Sequence, residues 1–386
     1  MLPLRLVIVL WLSSFLMGGC WNAREIETMN YINALGVDYV NNKVVVHAQI
    51  LSFTNIAKME AGGQQTPETV ATVKGEGENF LTAIFQLYPS SQQRLTWSHM
   101  RALVFTEEAI RHGLVDQVLD ELDRYYEFRY TLWAYSTHEA MDELFHAKPL
   151  FHISVLYSQL TDPGDIFEQN SVNQPIKLYR FISYYKEKNR TLYLPTLALD
   201  KSRWTQGNNS TVKLVGNGAC IIQNQKLSAC WSRKELLAVR WVNPDTNRTL
   251  INVKKNNKLL ANTVLTKPKV TIAPIFHGGV PTFTVQVAYT GFISQLGQTG
   301  PVEEIAKEVE KTIAADIKSL FEKGLKQNID TLQLGHTLYR KNPQVWKRYA
   351  VQDRLPLTPA SLESVIVNVS IENGGLAKIK QKRKQK

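Results

Sequence analysis

The feature that most constrains the fold is a long amphipathic segment in the C-terminal half, VEEIAKEVEKTIAADIKSLFEKGLKQNID, residues 302–330. Apolar residues recur there every three or four positions while Glu and Lys fill the rest, which predicts a long helix with one apolar stripe. Such a stripe has to be covered by a second layer of structure. The stripe consists of Ile305, Val309, Ile313, Ile317, Leu320 and Phe321.

The second layer is predicted to be a β-sheet. Alternating β patterns run from Arg248 to Val287 in TLINV, KLLANTVLTKPKVTIA and TFTVQVAYTGFI, and ESVIVNVSIEN follows after the helix. The C-terminal domain is therefore predicted as a β-sheet packed against one long amphipathic helix. Together with the N-terminal half, this gives a multi-domain α+β (mixed α/β) protein.

The N-terminal half alternates strands and helices. Residues 30–51 predict a hairpin that turns at Asn41-Asn42-Lys43, with Val44–Val46 covered on both faces. Residues 58–68 predict an exposed loop, and residues 77–88 predict a helix with one apolar face. That face carries Phe80, Ile84, Phe85 and Tyr88.

Residues 100–136 predict a strand, a helix pair and a returning strand, the pattern of an α/β layer. Thr137 is predicted to cap a following helix, HEAMDELF, and residues 178–200 predict a helix and then a strand. The polar stretch 202–211, SRWTQGNNST, is interpreted as the main internal boundary. The predicted organisation is a leader over 1–19, an N-terminal region over 20–205, a C-terminal domain over 206–376 and a basic tail over 377–386.

The leader, residues 1–19, has the properties of a signal peptide. One positive residue, Arg5, precedes the apolar run LVIVLWLSSFLM, which is too short to span a bilayer comfortably. The run ends in Gly-Gly-Cys, which resembles the lipobox of bacterial lipoproteins. Cys20 is therefore predicted to be acylated and to become the new N-terminus, which would tether the chain to a membrane. An uncleaved N-terminal anchor is the alternative.

The net charge of the 386-residue chain is +11, but much of it lies in the terminal segment KIKQKRKQK. A basic tail suits an anionic bilayer surface, and the alternative is a solvated terminus that aids solubility. No basic stripe with interleaved aromatic residues is evident, so nucleic acid is not an expected partner. The basic residues of the segment are Lys378, Lys380, Lys382, Arg383, Lys384 and Lys386.

Two further cysteines, Cys220 and Cys230, flank Gln225 symmetrically between two β runs. A three-residue loop would set them directly opposite, where a disulfide becomes feasible, whereas a one-residue slip would leave reduced packing thiols. Acylation of Cys20 would leave these two as the remaining pair. No CxxC pair or zinc-type Cys/His spacing is present, so neither a metal site nor a cofactor is expected.

Catalytic signatures are weak. His138-Glu139 begins like HExxH, but Asp142 stands where the second histidine is required. His138 and His146 lie two helical turns apart without a specified third ligand, which favours a solvated face. The best residues for a cell-envelope hydrolase would be His138, Glu139 and Asp142, but no serine triad, phosphate loop or carboxylate pair supports an enzyme.

Several stretches together resemble the Ger(x)C family of spore-germination lipoproteins. The resemblance begins with CWNAREIE at residues 20–27, where Asn22 replaces the usual Asp, and continues with LGVDY. It extends over nearly the whole mature chain, although VQDRLPLTP departs from the family pattern and the cysteine pair looks peculiar to this chain. The other stretches are HMRALVFTEEAIRHGL, DRYYEFR, LYRF, LYLPTLAL, LQLGHTLYRKNPQVWK and VIVNVSIENGG.

This resemblance implies a non-enzymatic C subunit of a nutrient germinant receptor. The subunit would be lipid-anchored through Cys20 on the outer face of the spore inner membrane and would act with an A subunit and a polytopic B subunit. The alternative is a substrate-binding lipoprotein of a nutrient transporter, with a cleft between its halves. Three tryptophans near the predicted boundary motivate that alternative, namely Trp204, Trp231 and Trp241.

Overall fold

The computed structural model describes residues 29–52, 70–125, 127–297 and 301–372. Within these ranges the N-terminal half mixes strands with helices, and the C-terminal half is mostly strands followed by three helices and a last strand. The strands are β1 (Met29–Val40), β2 (Lys43–Leu51), β3 (Val70–Gly77), β4 (Arg94–Thr96), β5 (Ala102–Thr106), β6 (Trp133–Thr137), β7 (Ile176–Lys177), β8 (Thr191–Asp200), β9 (Thr205–Gln206), β10 (Asn209–Ser210), β11 (Lys213–Gln223), β12 (Lys226–Ser232), β13 (Arg248–Lys255), β14 (Lys258–His277), β15 (Val280–Leu296) and β16 (Leu362–Glu372). The helices are α1 (Phe80–Phe85), α2 (Glu107–Arg111), α3 (Leu114–Arg124), α4 (Met141–His146), α5 (Gly164–Gln169), α6 (Leu178–Lys186), α7 (Val302–Lys326), α8 (Leu334–Lys341) and α9 (Pro343–Tyr349).

The first sheet has the strand order β12-β11-β8-β6-β5-β1-β2-β3, with β4 beside β1 and β7 beside β6. Its central pairs β8–β6, β6–β5 and β5–β1 are parallel, whereas the outer pairs are antiparallel. Parallel strands need helical crossovers, and residues from α1, α2, α3 and α6 form one core with this sheet. Helix α4 contributes to a separate core with β5 and β6. The predicted α/β layer is confirmed.

The second sheet has the order β13-β14-β15-β16 and packs against α7. The β15–β16 pair is parallel, and α7 lies in the connection between these two strands. All six residues of the predicted stripe are buried, from Ile305 to Phe321, which confirms the sequence interpretation. The C-terminal part is therefore a sheet with one long helix, as the α+β class requires.

The hairpin predicted over residues 30–51 is confirmed and turns through Asn41-Asn42. Both asparagines have positive φ, 51° and 61°, as a two-residue type I′ turn requires. Val44, Val45 and Val46 are all buried, as expected for a strand covered on both faces. Residues 58–68, the predicted loop, lie outside the described residues.

Two local predictions were wrong. The helix expected to begin after Thr137 begins at Met141, because the Thr137 hydroxyl instead accepts from the Glu139 amide and its own hydrogen is donated to the Leu197 carbonyl. The helical face expected at residues 77–88 is also only half buried. Phe80 and Ile84 enter the core, whereas Phe85 and Tyr88 are exposed.

Strand β11 belongs to both halves of the molecule. The chain passes from β8 through the β9–β10 hairpin into β11, which pairs with β8 in the first sheet. Cys220 and Ile222 face the core of the first sheet, while Ala219 and Ile221 pack in the core of the second. Because alternate residues of a strand point to opposite faces, this one strand serves both cores.

Candidate functional site

A cavity of about 180 Å³ lies between the two halves. The turn before β7 contributes Asn173, strand β8 contributes Tyr193, and the segment before β13 contributes Arg240. Leu332 and Gln333, from the segment before α8, also line the cavity. The cavity is therefore built from both halves, as a ligand-binding cleft between domains would be.

The cavity wall carries buried polar groups without a protein partner. Among the described residues these include Nε of Arg190, Nε of Arg240 and Oδ1 of Asn173. Burial lowers the pKa of Arg240, although Asp316 opposes this shift. Guanidinium N–H groups in such a site can donate to an anionic or carbonyl group, so the cavity is suited to recognition of a small polar molecule.

The tryptophans that suggested a cleft do not line this cavity. Trp231 and Trp241 are buried, and their indole N–H groups donate to Gln327 and Asp316 at 2.8 and 2.9 Å. Trp204 is 45% exposed. The residues that do line it, such as Arg190 and Arg240, have no short motif that sequence reading could have found.

The segment 330–335 connects the two halves beside this cavity. The Gln333 side chain accepts from the Thr191 amide at 3.0 Å and donates to the Thr191 carbonyl at 2.6 Å. The Thr191 hydroxyl donates to the Asp330 carbonyl at 2.7 Å. The Asp330 carboxylate in turn accepts from the amides of Leu334 and Gly335 at the start of α8. Burial dominates over these hydrogen bonds and raises the pKa of Asp330 to about 6.

A second opening, an aromatic groove, lies between α1 and α3. We define the aromatic groove by Phe85, Tyr88, Tyr125 and Phe128, and it encloses about 540 Å³. Phe85, Tyr88 and Tyr125 are exposed by 55%, 40% and 45%. Arg94 also lines the groove and pairs with Met29 at the start of β1. A cluster of exposed aromatic side chains of this kind is typical of an interaction surface.

The three residues considered for a hydrolase have separate partners. His138 Nδ1 lies 3.1 Å from a carboxylate oxygen of Glu107, while Glu139 accepts from the Leu199 amide at 3.1 Å. Asp142 lies 3.2 Å from Nδ1 of His47. His146 instead contacts the Asp142 carbonyl, at 2.7 Å. The structure does not bring the acid–base groups together.

Cys220 and Cys230 lie directly opposite each other on β11 and β12, with Cα atoms 3.9 Å apart and sulfur atoms 1.95 Å apart. The predicted three-residue loop was wrong, because the turn has two residues, Asn224-Gln225. A one-residue bulge at Ser228 compensates for the missing loop residue and brings the cysteines into register. The strand register therefore places the two cysteines directly opposite each other, where the disulfide joins them.

Other predicted sites lie outside the described residues. These are the leader, Cys20 with the CWNAREIE segment, and the basic tail that ends at Lys386. Within the described residues, no helix is long and apolar enough to cross a membrane.

Comparison with known proteins agrees with the resemblance found in the sequence. The family model described as "Spore germination protein N-terminal domain" matches residues 22–199, and the one described as "Spore germination B3/ GerAC like, C-terminal" matches residues 217–375. Together they span most of the chain. The chain belongs to the Ger(x)C family.

Individual Ger(x)C relatives are distant but similar over most of their length. Spore germination protein KC of Bacillus subtilis (strain 168) is 25% identical over 367 residues, which cover 89% of each chain. Spore germination protein B3 of the same organism is 23% identical, over 82% of this chain and 81% of the relative. A solved structure titled "Crystal Structure of the GerBC protein" matches with a TM-score of 0.55 at 15% identity, over 90% of this chain and 99% of that one. This likeness supports the mixed α+β fold.

The buried Asp330 makes the stability of this Ger(x)C protein depend on pH. Since folding raises the pKa of Asp330 from 3.8 to about 6, the folded state holds its proton more tightly than the unfolded state. This carboxyl group therefore stabilises the fold more below pH 4 than above pH 6, and its contribution falls between those values by about 3 kcal/mol.

The measurement compares urea unfolding of the wild type and Asp330→Asn from pH 4 to pH 7. We expect the free energy of unfolding of Asp330→Asn to rise relative to the wild type across this range and then to level off. The test is how the difference in free energy of unfolding between the two proteins changes with pH. The absolute difference is not the test, because Asn also loses one hydrogen-bond acceptor at the start of α8, which shifts the free energy at every pH. A constant difference, or one of opposite slope, contradicts the prediction.

Proposed function

We propose that this chain is the lipid-anchored C subunit of a spore nutrient germinant receptor. It would be held on the outer face of the spore inner membrane by Cys20 and would work together with membrane-embedded A and B subunits. The observation that carries the proposal is the match of both Ger(x)C domains, in order, over residues 22–199 and 217–375. The first match begins two residues after the proposed lipid site.

The proposed anchor is supported by the leader itself. Its apolar run is short and ends at Gly18-Gly19-Cys20, the arrangement of a lipoprotein cleavage site. Each buried CH₂ of an acyl chain contributes about 0.8 kcal/mol, so two or three chains hold a protein at a bilayer durably. The basic tail at residues 377–386 would add attraction to anionic lipid.

The aromatic groove is the proposed contact for a membrane-embedded partner. Met29 follows Cys20 by nine positions in the sequence, and Met29 pairs with Arg94 on the groove wall. At about 3.3–3.6 Å per residue, this connection keeps that wall within roughly 30 Å of the anchor. Exposed aromatic residues so near the anchor suit contact with a partner subunit that emerges from the bilayer.

The proposed role is recognition without catalysis. His138, Glu139 and Asp142 each contact a different partner, so they form no acid–base arrangement of the kind that hydrolysis needs. The cavity between the halves and the aromatic groove are both suited to binding. These features support a receptor subunit over a cell-envelope hydrolase.

Replacing Cys20 tests the anchor. We expect Cys20→Ala to carry no acyl mass, to move from the membrane fraction to the soluble fraction, and to impair nutrient-triggered germination, because the acylated thiol is lost. Mass spectrometry of the N-terminal peptide and fractionation of spores measure this. Ser13→Ala, a change within the same leader, is the matched control. Full membrane retention and normal germination of Cys20→Ala would contradict the anchor.

Replacing the exposed aromatic residues tests the groove. We expect the double variant Phe85→Ser with Tyr88→Ser to lower co-capture of the A and B subunits at least tenfold from detergent-solubilised spore membranes, since it removes the exposed apolar area. Tyr179→Ser, at a tyrosine 50% exposed on α6, is the control and should capture both subunits normally. Equal capture by both variants would exclude the groove as the contact.

The cavity between the halves favours a second candidate, a nutrient-binding lipoprotein of a transporter. The Nε–H groups of Arg190 and Arg240, which are buried without a hydrogen-bond partner among the described residues, motivate it. Calorimetry of the full chain with germinant amino acids and sugars separates the two candidates. For the receptor subunit we expect no micromolar binding. Micromolar binding that Arg240→Met abolishes and Arg111→Met leaves intact would favour the transporter candidate.

A further inference from the structure

Three potential metal ligands converge from distant parts of the sequence. His138 directly follows β6, while Cys220 and Cys230 lie on β11 and β12. One ring nitrogen of His138 and the two sulfur atoms all lie within 4.8 Å of one another. Tetrahedral zinc, with bonds of about 2.0–2.3 Å, needs ligand atoms roughly 3.6 Å apart, so small side-chain movements bring this set to ligand spacing.

The histidine is already oriented by an acidic partner. Nδ1 of His138 lies 3.1 Å from Oε2 of Glu107, the first residue of α2. Glu107 is held in turn by Arg111 one helical turn later. An imidazole fixed through Nδ1 by a carboxylate offers Nε2 to a metal, which is the usual arrangement around histidine ligands.

The surroundings give an ion both access and shielding. The His138 side chain is 52% exposed, whereas Cys220 is fully buried and Cys230 is half-buried. An ion could therefore arrive from the solvent side at His138 while its sulfur ligands remain shielded by the core of the first sheet. Two thiolates and one imidazole form a donor set that zinc prefers over calcium or magnesium.

We propose that Cys220, Cys230 and His138 form a zinc-binding site in the dithiol state of the protein, with Glu107 as the residue that positions His138. Water occupies the fourth ligand position. The disulfide and the zinc complex exclude each other, because both use the same two sulfur atoms. This proposal does not depend on the function proposed above.

A dithiol reductant converts the disulfide state of the protein into the dithiol state. A dithiol transfers two electrons and two protons to the S–S bond, giving two cysteine thiols, and is itself oxidised to a disulfide. Zinc binding then displaces the two thiol protons into water, since the thiolates are the ligands. Zinc affinity therefore rises with pH as well as with reduction.

The test uses the full chain in detergent and zinc alone as the probe. We expect one equivalent of zinc per chain after reduction by a dithiol, measured by elemental analysis after gel filtration, and none in the oxidised protein. Cobalt in place of zinc should give the intense near-ultraviolet absorption of thiolate–cobalt bonds. Absence of zinc binding by the reduced wild type overturns the proposal.

Variants identify the ligands. We expect Cys230→Ser and His138→Gln each to weaken zinc binding by at least tenfold, and Glu107→Gln to weaken it by about tenfold or more through the loss of the orienting carboxylate. His146→Gln, at an exposed histidine outside this cluster, is the matched control and should bind like the wild type. His138 is exposed and Glu107 is partly exposed, so their variants remain informative even if a cysteine variant fails to fold. Zinc binding that survives both His138→Gln and Glu107→Gln unchanged overturns the assignment.

Discussion

The structure depends on the register of β11, because this strand supplies side chains to both cores. Cys220 and Ile222 pack in the first core, and Ala219 and Ile221 pack in the second. A slip of one residue would send each of these four side chains to the wrong core. The pairings with β8 and with β12 each contain one register shift, and the shift in the β12 pairing, at Ser228, brings the cysteines opposite each other. The junction between the halves is therefore formed by the two faces of this one strand.

The segment 330–335 adds a second connection between the halves. Gln333 satisfies both backbone groups of Thr191, as a neighbouring strand would, and Tyr193 donates to the Thr331 carbonyl at 3.1 Å. Separating the halves here would break these hydrogen bonds. The cavity beside this segment is lined by both halves, so a ligand that entered it would contact both at once.

Periodicity predicted the parts of the fold that bury one face of a single element. The stripe of α7 and the hairpin at Asn41-Asn42 followed from local pattern alone. Features that depend on two elements were harder to predict. The cysteines are opposite each other, but through a bulge at Ser228 and not through the expected loop. Phe85 and Tyr88 continue an apolar pattern past the end of the core, and only the tertiary structure reveals that they are exposed.

The candidate sites were harder still to predict from the sequence, because each one combines residues from several elements. Zinc motifs are recognised by close spacing in the sequence, whereas His138, which follows β6, comes near the cysteines of β11 and β12 only in the folded chain. Arg190 and Arg240 likewise come from separate elements and become a pair of cavity residues only when the halves meet. His138 and Glu139 begin like a zinc-protease motif in the sequence, and the fold gives them different partners. In this protein the composition of each candidate site therefore depends on which elements the two cores bring together. Residues that are neighbours in the sequence do not indicate which side chains meet in a site.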